Sequence, residues 1–279
     1  MIEVVLILIG LIWILFASIQ DLKMREVANW LNFSLIIFVL GIRFFYSLFE
    51  INNFMFFYQG IIGLLIFLAL GNLFYYGRLF GGGDAKLMIA LGVVLPFEMI
   101  LSSNLNIFVW FAILFFVFGA VYGVVWSIAL MLMNFNKFKL EFSKLLLKNK
   151  KKVLVVEVFA IFILLFAFFD MVFLIAGIMF FVLPYFYLYA RAIDSACMIS
   201  KVKPSNLREG DLLYKDVKLG KSIIEANWEG LSESEIRKLR KMNRSVFIKS
   251  GIPFVPVFLI SYLVSIYLYF NGFLINFLF

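Results

Sequence analysis

Two aspartates stand out in a chain this apolar. Asp21 ends the first long apolar run and Asp84 opens the fourth. A charge held at membrane depth is expensive, so each such residue is a functional candidate. Two carboxylates brought together cannot both ionise easily; one keeps a proton while the other stays charged. Such a pair can activate water and protonate a leaving amine. Few other devices are available. The chain has no His, which excludes Ser-His-Asp and Cys-His catalysis and His-ligated metals. Its single Cys, Cys197, excludes an internal disulfide, a thiolate zinc cluster and an iron–sulfur site. Ionisable chemistry falls to Asp, Glu, Lys, Arg or Tyr, with no metal and no cofactor expected.

Other polar residues have simpler readings. Asp170 interrupts an apolar run and reads as a turn. Glu157 follows a lysine run and is expected to pair with Lys150 or Lys152. Asp84 follows Gly81-Gly82-Gly83, which permit positive φ and the close approach of another chain; the plainest alternative is a flexible loop with Asp84 as helix N-cap. Pro253 and Pro256 each remove a backbone donor near the start of the last apolar run, where proline is also normal.

The elements that must position these residues follow from composition. Of 279 residues, 65% are hydrophobic and 15% charged. A soluble domain has about 45–50% apolar and about 25% charged residues, so this chain is an integral membrane protein, and its long apolar runs imply helices. Eight crossings are predicted, over 2–20, 30–49, 54–76, 85–103, 106–133, 153–169, 171–190 and 252–271. With the N-terminus outside, the inner segments are 21–29, 77–84, 134–152 and 191–251. All of the 25 lysines and arginines except Arg43 and Lys86 fall in them. Lys86 lies at the same face, Arg43 towards the outer one, and Glu3, Glu50, Glu98 and Asp170 mark the outer ends. Asp21 and Asp84 then share the cytoplasmic face.

The fold expected is therefore an all-α polytopic membrane protein of about eight transmembrane helices. Helices one to seven occupy 1–190, a small cytoplasmic α+β domain occupies 191–250, and the last helix lies in 251–279. In that domain Leu212–Tyr214 and Ser222–Ile224 read as short strands, with turns at Pro204, Gly210, Gly220 and Gly230. Ser232-Glu233-Ser234-Glu235 followed by Ile236, Leu239 and Met242 reads as a capped amphipathic helix. Residues 137–152 carry seven lysines and read as a solvated loop that touches anionic lipid. The net charge of +8 is assigned to lipid and topology, and no nucleic acid is expected.

Three motifs carry a resemblance. Gly81-Gly82-Gly83-Asp84-Ala85-Lys86 resembles the Gly-x-Gly-Asp signature of membrane aspartyl proteases in its type IV prepilin and archaeal preflagellin (prearchaellin) peptidase form. The stretch from Asp21 through Lys23, Arg25 and Val27 to Asn29 is similar to that family's first motif, and Ile252-Pro253-Phe254-Val255-Pro256 to its C-terminal element. The resemblance implies that Asp21 and Asp84 are the catalytic pair. It also implies that Gly81, Gly83, Lys86, Lys23, Arg25, Asn29, Pro253 and Pro256 form the loops around substrate. The implied reaction removes the short basic signal peptide of a pilin or archaellin precursor at the cytoplasmic face of the plasma membrane. The paired Cys-x-x-Cys insert usual in bacterial prepilin peptidases is missing, so the archaeal branch fits better. Presenilin-like proteases fit less well, because Gln20 precedes Asp21.

The alternative from another class is a proton- or cation-coupled transporter, which also uses intramembrane carboxylates. A carrier places them near the midplane, often in a repeated half, whereas here both lie at one face with no repeat. A monomer is expected to suffice, since one chain supplies both aspartates. Which aspartate is acid and which is base stays open, because a coupled pair titrates as a unit. Glycines beside Asp84 and a polar segment after Asp21 predict carboxylates that stand apart without substrate and close upon it.

Overall fold

The computed structural model describes residues 2–51, 53–219, 222–241 and 245–274. The turn at Gly220 and the position of Met242 on its helix lie outside the described residues, as does the side chain of Glu50. In chain order the helices are α1 (Ile2–Met24), α2 (Asn29–Tyr46), α3 (Met55–Tyr76), α4 (Gly82–Leu91), α5 (Leu101–Met133), α6 (Phe135–Leu165), α7 (Met171–Ala196), α8 (Glu233–Lys241) and α9 (Val255–Phe270). The strands are β1 (Ile199–Val202), β2 (Leu212–Leu213), β3 (Val217–Leu219), β4 (Ser222–Ile224) and β5 (Val246–Lys249). The chain forms two compact units, residues 1–123 with 252–279, and residues 124–251.

Five described helices are long and apolar enough to cross a membrane: Ile2–Met24, Asn29–Phe49, Met55–Tyr76, Leu101–Met133 and Met171–Ala196. The protein is mostly helical with several candidate spans, but three of the eight predicted crossings take another form. The fourth, 85–103, is not one helix: α4 stops at Leu91, and Val93, Val94, Leu95 and Phe97 continue as buried irregular chain. Pro96 supplies no N–H and disfavours helical geometry in the residue before it. The sixth, 153–169, is the second half of α6, whose first half carries the lysines expected in a loop. Helix propensity of Lys, Leu and Glu through 137–152 continues the helix where charge alone suggested a break. The last helix, α9, spans 16 residues, beginning after Pro253 and Phe254.

The first unit has a largely hydrophobic core with a few polar side chains set into it, and an apolar exterior. Asn32, Arg43, Gln59, Asn104, Asn106, Ser261 and Ser265 are buried, while Phe16, Ile37, Leu65 and Val121 are exposed. Exposed apolar side chains on this scale suit a lipid solvent. One observation fixes the irregular 92–97 segment. Arg43, placed at the outer end from sequence, is fully buried. Its Nε donates to Val93 O at 2.9 Å, Nη1 to Phe56 O at 3.0 Å, and Nη2 to Val94 O at 3.5 Å and to Pro96 O. Its guanidinium also lies 4.4 Å from the Phe56 ring centroid. Carbonyls freed where α4 ends thus find donors inside the protein, the condition for non-helical backbone at membrane depth. Gly63 of α3 and Gly92 lie backbone against backbone, and a Cβ at either would enter the other's carbonyl. At the same end Gln59, Asn104 and the Glu98 backbone share hydrogen bonds, and Tyr269 donates to Glu98 Oε1 at 2.7 Å.

In the second unit α6 and α7 form an antiparallel hairpin. Phe166–Phe168 make a 3₁₀ turn, and Asp170 caps α7 by accepting from Val172 N–H at 2.9 Å, as the turn reading expects. Glu157 does not pair with Lys150 or Lys152; Tyr185 of α7 donates to its Oε1 instead. Helix geometry explains this, since the side chain turns towards α7 while the lysines preceding it are exposed. After α7, strands pair in the order β1-β5-β2 antiparallel, and β3-β4 form a hairpin. Helix α8 begins as its sequence predicts: Ser232 N–H and Oγ both bond Glu235 Oε2, at 2.8 and 2.7 Å. Leu213, Ile224, Leu231, Ile236, Leu239 and Val246 form its small core.

Candidate active site

Three helix ends of the first unit meet around the aspartates. Asp21 lies in the last turn of α1 and is 6% exposed, although it is a carboxylate. Its Oδ2 accepts a 2.9 Å hydrogen bond from the backbone N–H of Val255, the first residue of α9, and Phe254 N–H lies on the same side. A helix N-terminus exposes unpaired N–H groups and positive dipole, so it is a natural seat for a carboxylate. Pro256, next in line, has no N–H to offer. Pro253 is buried in the approach to that helix.

Asp84 is the third residue of α4 and is half-buried. It is not the N-cap; Gly81 is, with extended backbone at φ −70° and ψ 162°. From the third position a carboxylate turns back towards the cap's N–H, and Asp84 faces Gly81 in that way. Asp84 and Asp21 stand within electrostatic reach of each other. Among the described residues, no hydrogen bond joins the two carboxylates.

The glycines act differently from the expectation. None of Gly81, Gly82 and Gly83 has positive φ; that backbone falls on Arg25, at 56°, and Arg78, at 57°. What Gly83 provides is space: a Cβ there would stand 3.4 Å from Val27 N. Val27, buried, belongs to the short connection from α1 to α2, so Gly83 lets the two motif loops pack together. Two further bonds fix that connection. Lys86 Nζ donates to Asn29 Oδ1 at 2.6 Å, and Ala28 N–H donates to Gln20 Oε1 at 3.1 Å. Lys23 and Arg25 are exposed, and Arg25 lies in electrostatic reach of Asp21. Lys86, Asn29 and Gly81 are exposed beside them.

Sequence reading did not single out Tyr122. It lies on α5, its phenol oxygen is buried, and it stands within electrostatic reach of Asp21. Its ring meets Phe254 edge-on at 6.4 Å. A lone tyrosine in an aromatic-rich helix carries no spacing signal that could have marked it. Gln20, which the sequence marks only as the residue before Asp21, also holds the α1–α2 connection. Phe80, Phe115, Phe254 and Phe258 pack into one cluster behind the site, with the Phe115 and Phe258 centroids 4.5 Å apart. This apolar wall locks the loop before Asp84 to the start of α9.

The arrangement brings together two acidic groups, a fixed backbone donor and an exposed rim of Lys23, Arg25 and Lys86. No group of three or more His, Cys, Asp or Glu that could hold a metal occurs among the described residues. Comparison with known proteins falls on the same region. Residues 8–128 match the model of the type IV leader peptidase family. The chain is 31% identical over 137 residues to a preflagellin peptidase of Methanococcus voltae, covering 46% of this chain and 57% of that one. It is 36% identical over 89 residues to a preflagellin peptidase of Methanocaldococcus jannaschii, covering 32% and 37%. A preflagellin peptidase of Methanococcus maripaludis is 29% identical over 135 residues. The chain thus spans little more than half the length of the relatives it matches, or less. No solved structure matches. Nothing among these relatives supports a transporter. The residues that match the type IV leader peptidase family model, 8–128, include both Asp21 and Asp84.

Proposed function

We propose that the protein is a membrane aspartyl endopeptidase that removes the basic signal peptide from prepilin or preflagellin (prearchaellin) precursors. The observation that carries this reading is the meeting of Asp21 and Asp84 at one end of the helical unit, with Asp21 oriented by Val255 N–H. One aspartate, ionised, takes a proton from water as the water attacks the scissile carbonyl. The other, protonated, supports the developing oxyanion and then donates to the leaving amine. The hydrogen bond to Oδ2 fixes the orientation of the Asp21 carboxylate. No cofactor takes part, and a single chain suffices.

The relatives' names support the substrate class, and so does the shape of the site. A precursor places its apolar helix beside exposed Leu, Ile and Phe, and its cleavage site beside the Gly81–Gly83 loop. Its extended segment closes the two carboxylates by pairing its main chain with that loop. Lys23, Arg25 and Lys86 make the rim positive, which keeps the basic n-region from folding back onto the aspartates.

In the plasma membrane the N-terminus lies outside and the aspartates face the cytoplasm. Residues 191–250 form the cytoplasmic domain. The chain crosses eight times, the fourth crossing being α4 continued by the buried 92–97 segment, whose carbonyls at Val93, Val94 and Pro96 Arg43 satisfies. Cleavage of a synthetic precursor by purified protein in detergent or vesicles tests the activity. Absence of cleavage by protein that elutes as a folded species would sink the proposal, and substrate transport without cleavage would restore the carrier.

A further inference from the structure

The helical hairpin of the second unit has a feature that peptide cleavage does not use. Between α6 and α7 runs an open groove of about 400 Å³, walled almost entirely by carbon. Val156, Phe180, Leu183 and Pro184 line its length, while Asn149 and Lys152 stand at one end. Pro184 lies inside α7 and forms part of the groove wall. A proline in a helix removes one backbone bond and presents a short ring in place of a longer side chain.

Depth gives the groove a direction. From Lys152 to the turn at Asp170 the chain rises roughly 25 Å, close to the hydrocarbon thickness of a bilayer, about 30 Å. With that turn at one membrane surface, Lys152 lies near the other. The charged end of the groove is thus at a headgroup level and its apolar length runs inwards. Lys150 and Lys151 are exposed beside Lys152. Glu157, the nearest acid in sequence, is engaged by Tyr185. The end of the groove is therefore positive, and its wall offers nothing polar to a peptide.

We infer that this groove binds one acyl chain of an anionic phospholipid, with Lys152 and Asn149 holding its phosphate. The chemistry favours lipid over a protein partner. A helix would bring about 10 Å of diameter to the site, and an extended peptide would bring main-chain groups that the carbon wall cannot satisfy. A hydrocarbon chain needs no such partners, and the lysines supply the complement to phosphate.

Native mass spectrometry of the full chain, purified in mild detergent and offered phosphatidylglycerol or phosphatidylcholine of equal chain length, tests the inference. One phosphatidylglycerol is expected to remain bound in preference to phosphatidylcholine. Lys152→Gln, an exposed change that leaves the fold intact, is expected to lower that preference about fivefold. Val156→Trp fills the groove and is expected to abolish retention. Lys139→Gln, a lysine of the same run that does not line the groove, should behave as the unaltered protein. Equal retention of both lipids by the unaltered protein would overturn the inference. So would undiminished phosphatidylglycerol on folded Val156→Trp, or an equal loss on Lys139→Gln, which would mean diffuse charge alone. If Val156→Trp fails to fold, the two lysine variants still decide between groove and diffuse charge. A synthetic precursor peptide retained in place of lipid would also refute it.

Discussion

The backbone N–H of Val255 donates a 2.9 Å hydrogen bond to Asp21 Oδ2 across 234 positions of sequence. The end of the first helix and the start of the last are thereby joined at the carboxylate itself. The Ile252–Pro256 element gains a physical meaning from this contact: it delivers a backbone donor, at the positive end of a helix, to an aspartate that must keep one orientation.

Asp21→Asn and Asp84→Asn each keep the shape of the side chain and remove its proton transfer. In Asp21→Asn the amide oxygen can still accept from Val255, so the fold is retained. Cleavage of a synthetic precursor is expected to fall by at least about a hundredfold in either variant, with unchanged elution on gel filtration. Turnover near the original in either would end the dyad. Glu157→Gln, which keeps an acceptor for Tyr185, is expected to retain most activity.

Tyr122→Phe removes a buried hydroxyl near Asp21 while keeping the ring against Phe254. If the phenol helps to orient the reacting water or carbonyl, the kcat falls about tenfold with little change in KM. Steady-state kinetics on one precursor peptide measures the split. A kcat equal to the original would assign Tyr122 to packing alone.

Arg43→Leu removes the side-chain donor from three buried carbonyls outside the helices, Val93, Val94 and Pro96, and from Phe56 O at the start of α3. The expected loss is at least about 3 kcal/mol, seen as a much lower unfolding temperature or as failure to accumulate. Arg43→Lys keeps the charge but not the planar fork, and should recover only part of the loss. A thermal melt of Arg43→Leu that overlays the original would show that the 92–97 segment is held by something else.

Gly63→Ala and Gly83→Ala should differ sharply. At Gly63 the added carbon meets the Gly92 backbone, which cannot move without shifting α4; at Gly83 it meets Val27 N at 3.4 Å, a contact that a small shift relieves. Thermal melts are expected to show a large fall for Gly63→Ala and a small one for Gly83→Ala. Gly83→Val adds a branched side chain towards Val27 and is expected to lower cleavage more than stability. Equal stability losses for the two alanine variants would contradict the packing described.

Membrane orientation is open to a labelling test in a Cys197→Ser background. A cysteine at the Asp170 turn is expected to react only from outside, and one at Lys203 only from the cytoplasm. Reaction of both from one side would refute the α6/α7 hairpin as two crossings.

Composition and apolar run length determine the class of this protein, because apolar runs of about 20 residues with few charges satisfy their backbone polar groups within lipid as helices. Asp21, Asp84 and the Gly81–Gly83 loop could be singled out because charge and glycine are rare signals against apolar sequence. Asp170 as a turn and Ser232 with Glu235 as a cap were legible too, since caps and turns rest on neighbouring residues. What only the tertiary structure decided involves partners far apart in sequence. Arg43 near residues 93–96, Val255 on Asp21 and Tyr122 beside Asp21 leave no local trace. The end of α4 at Leu91 escaped the hydropathy reading for the same reason. An apolar segment reads as a continuous crossing unless one knows that a distant arginine supplies the donors that let it unwind.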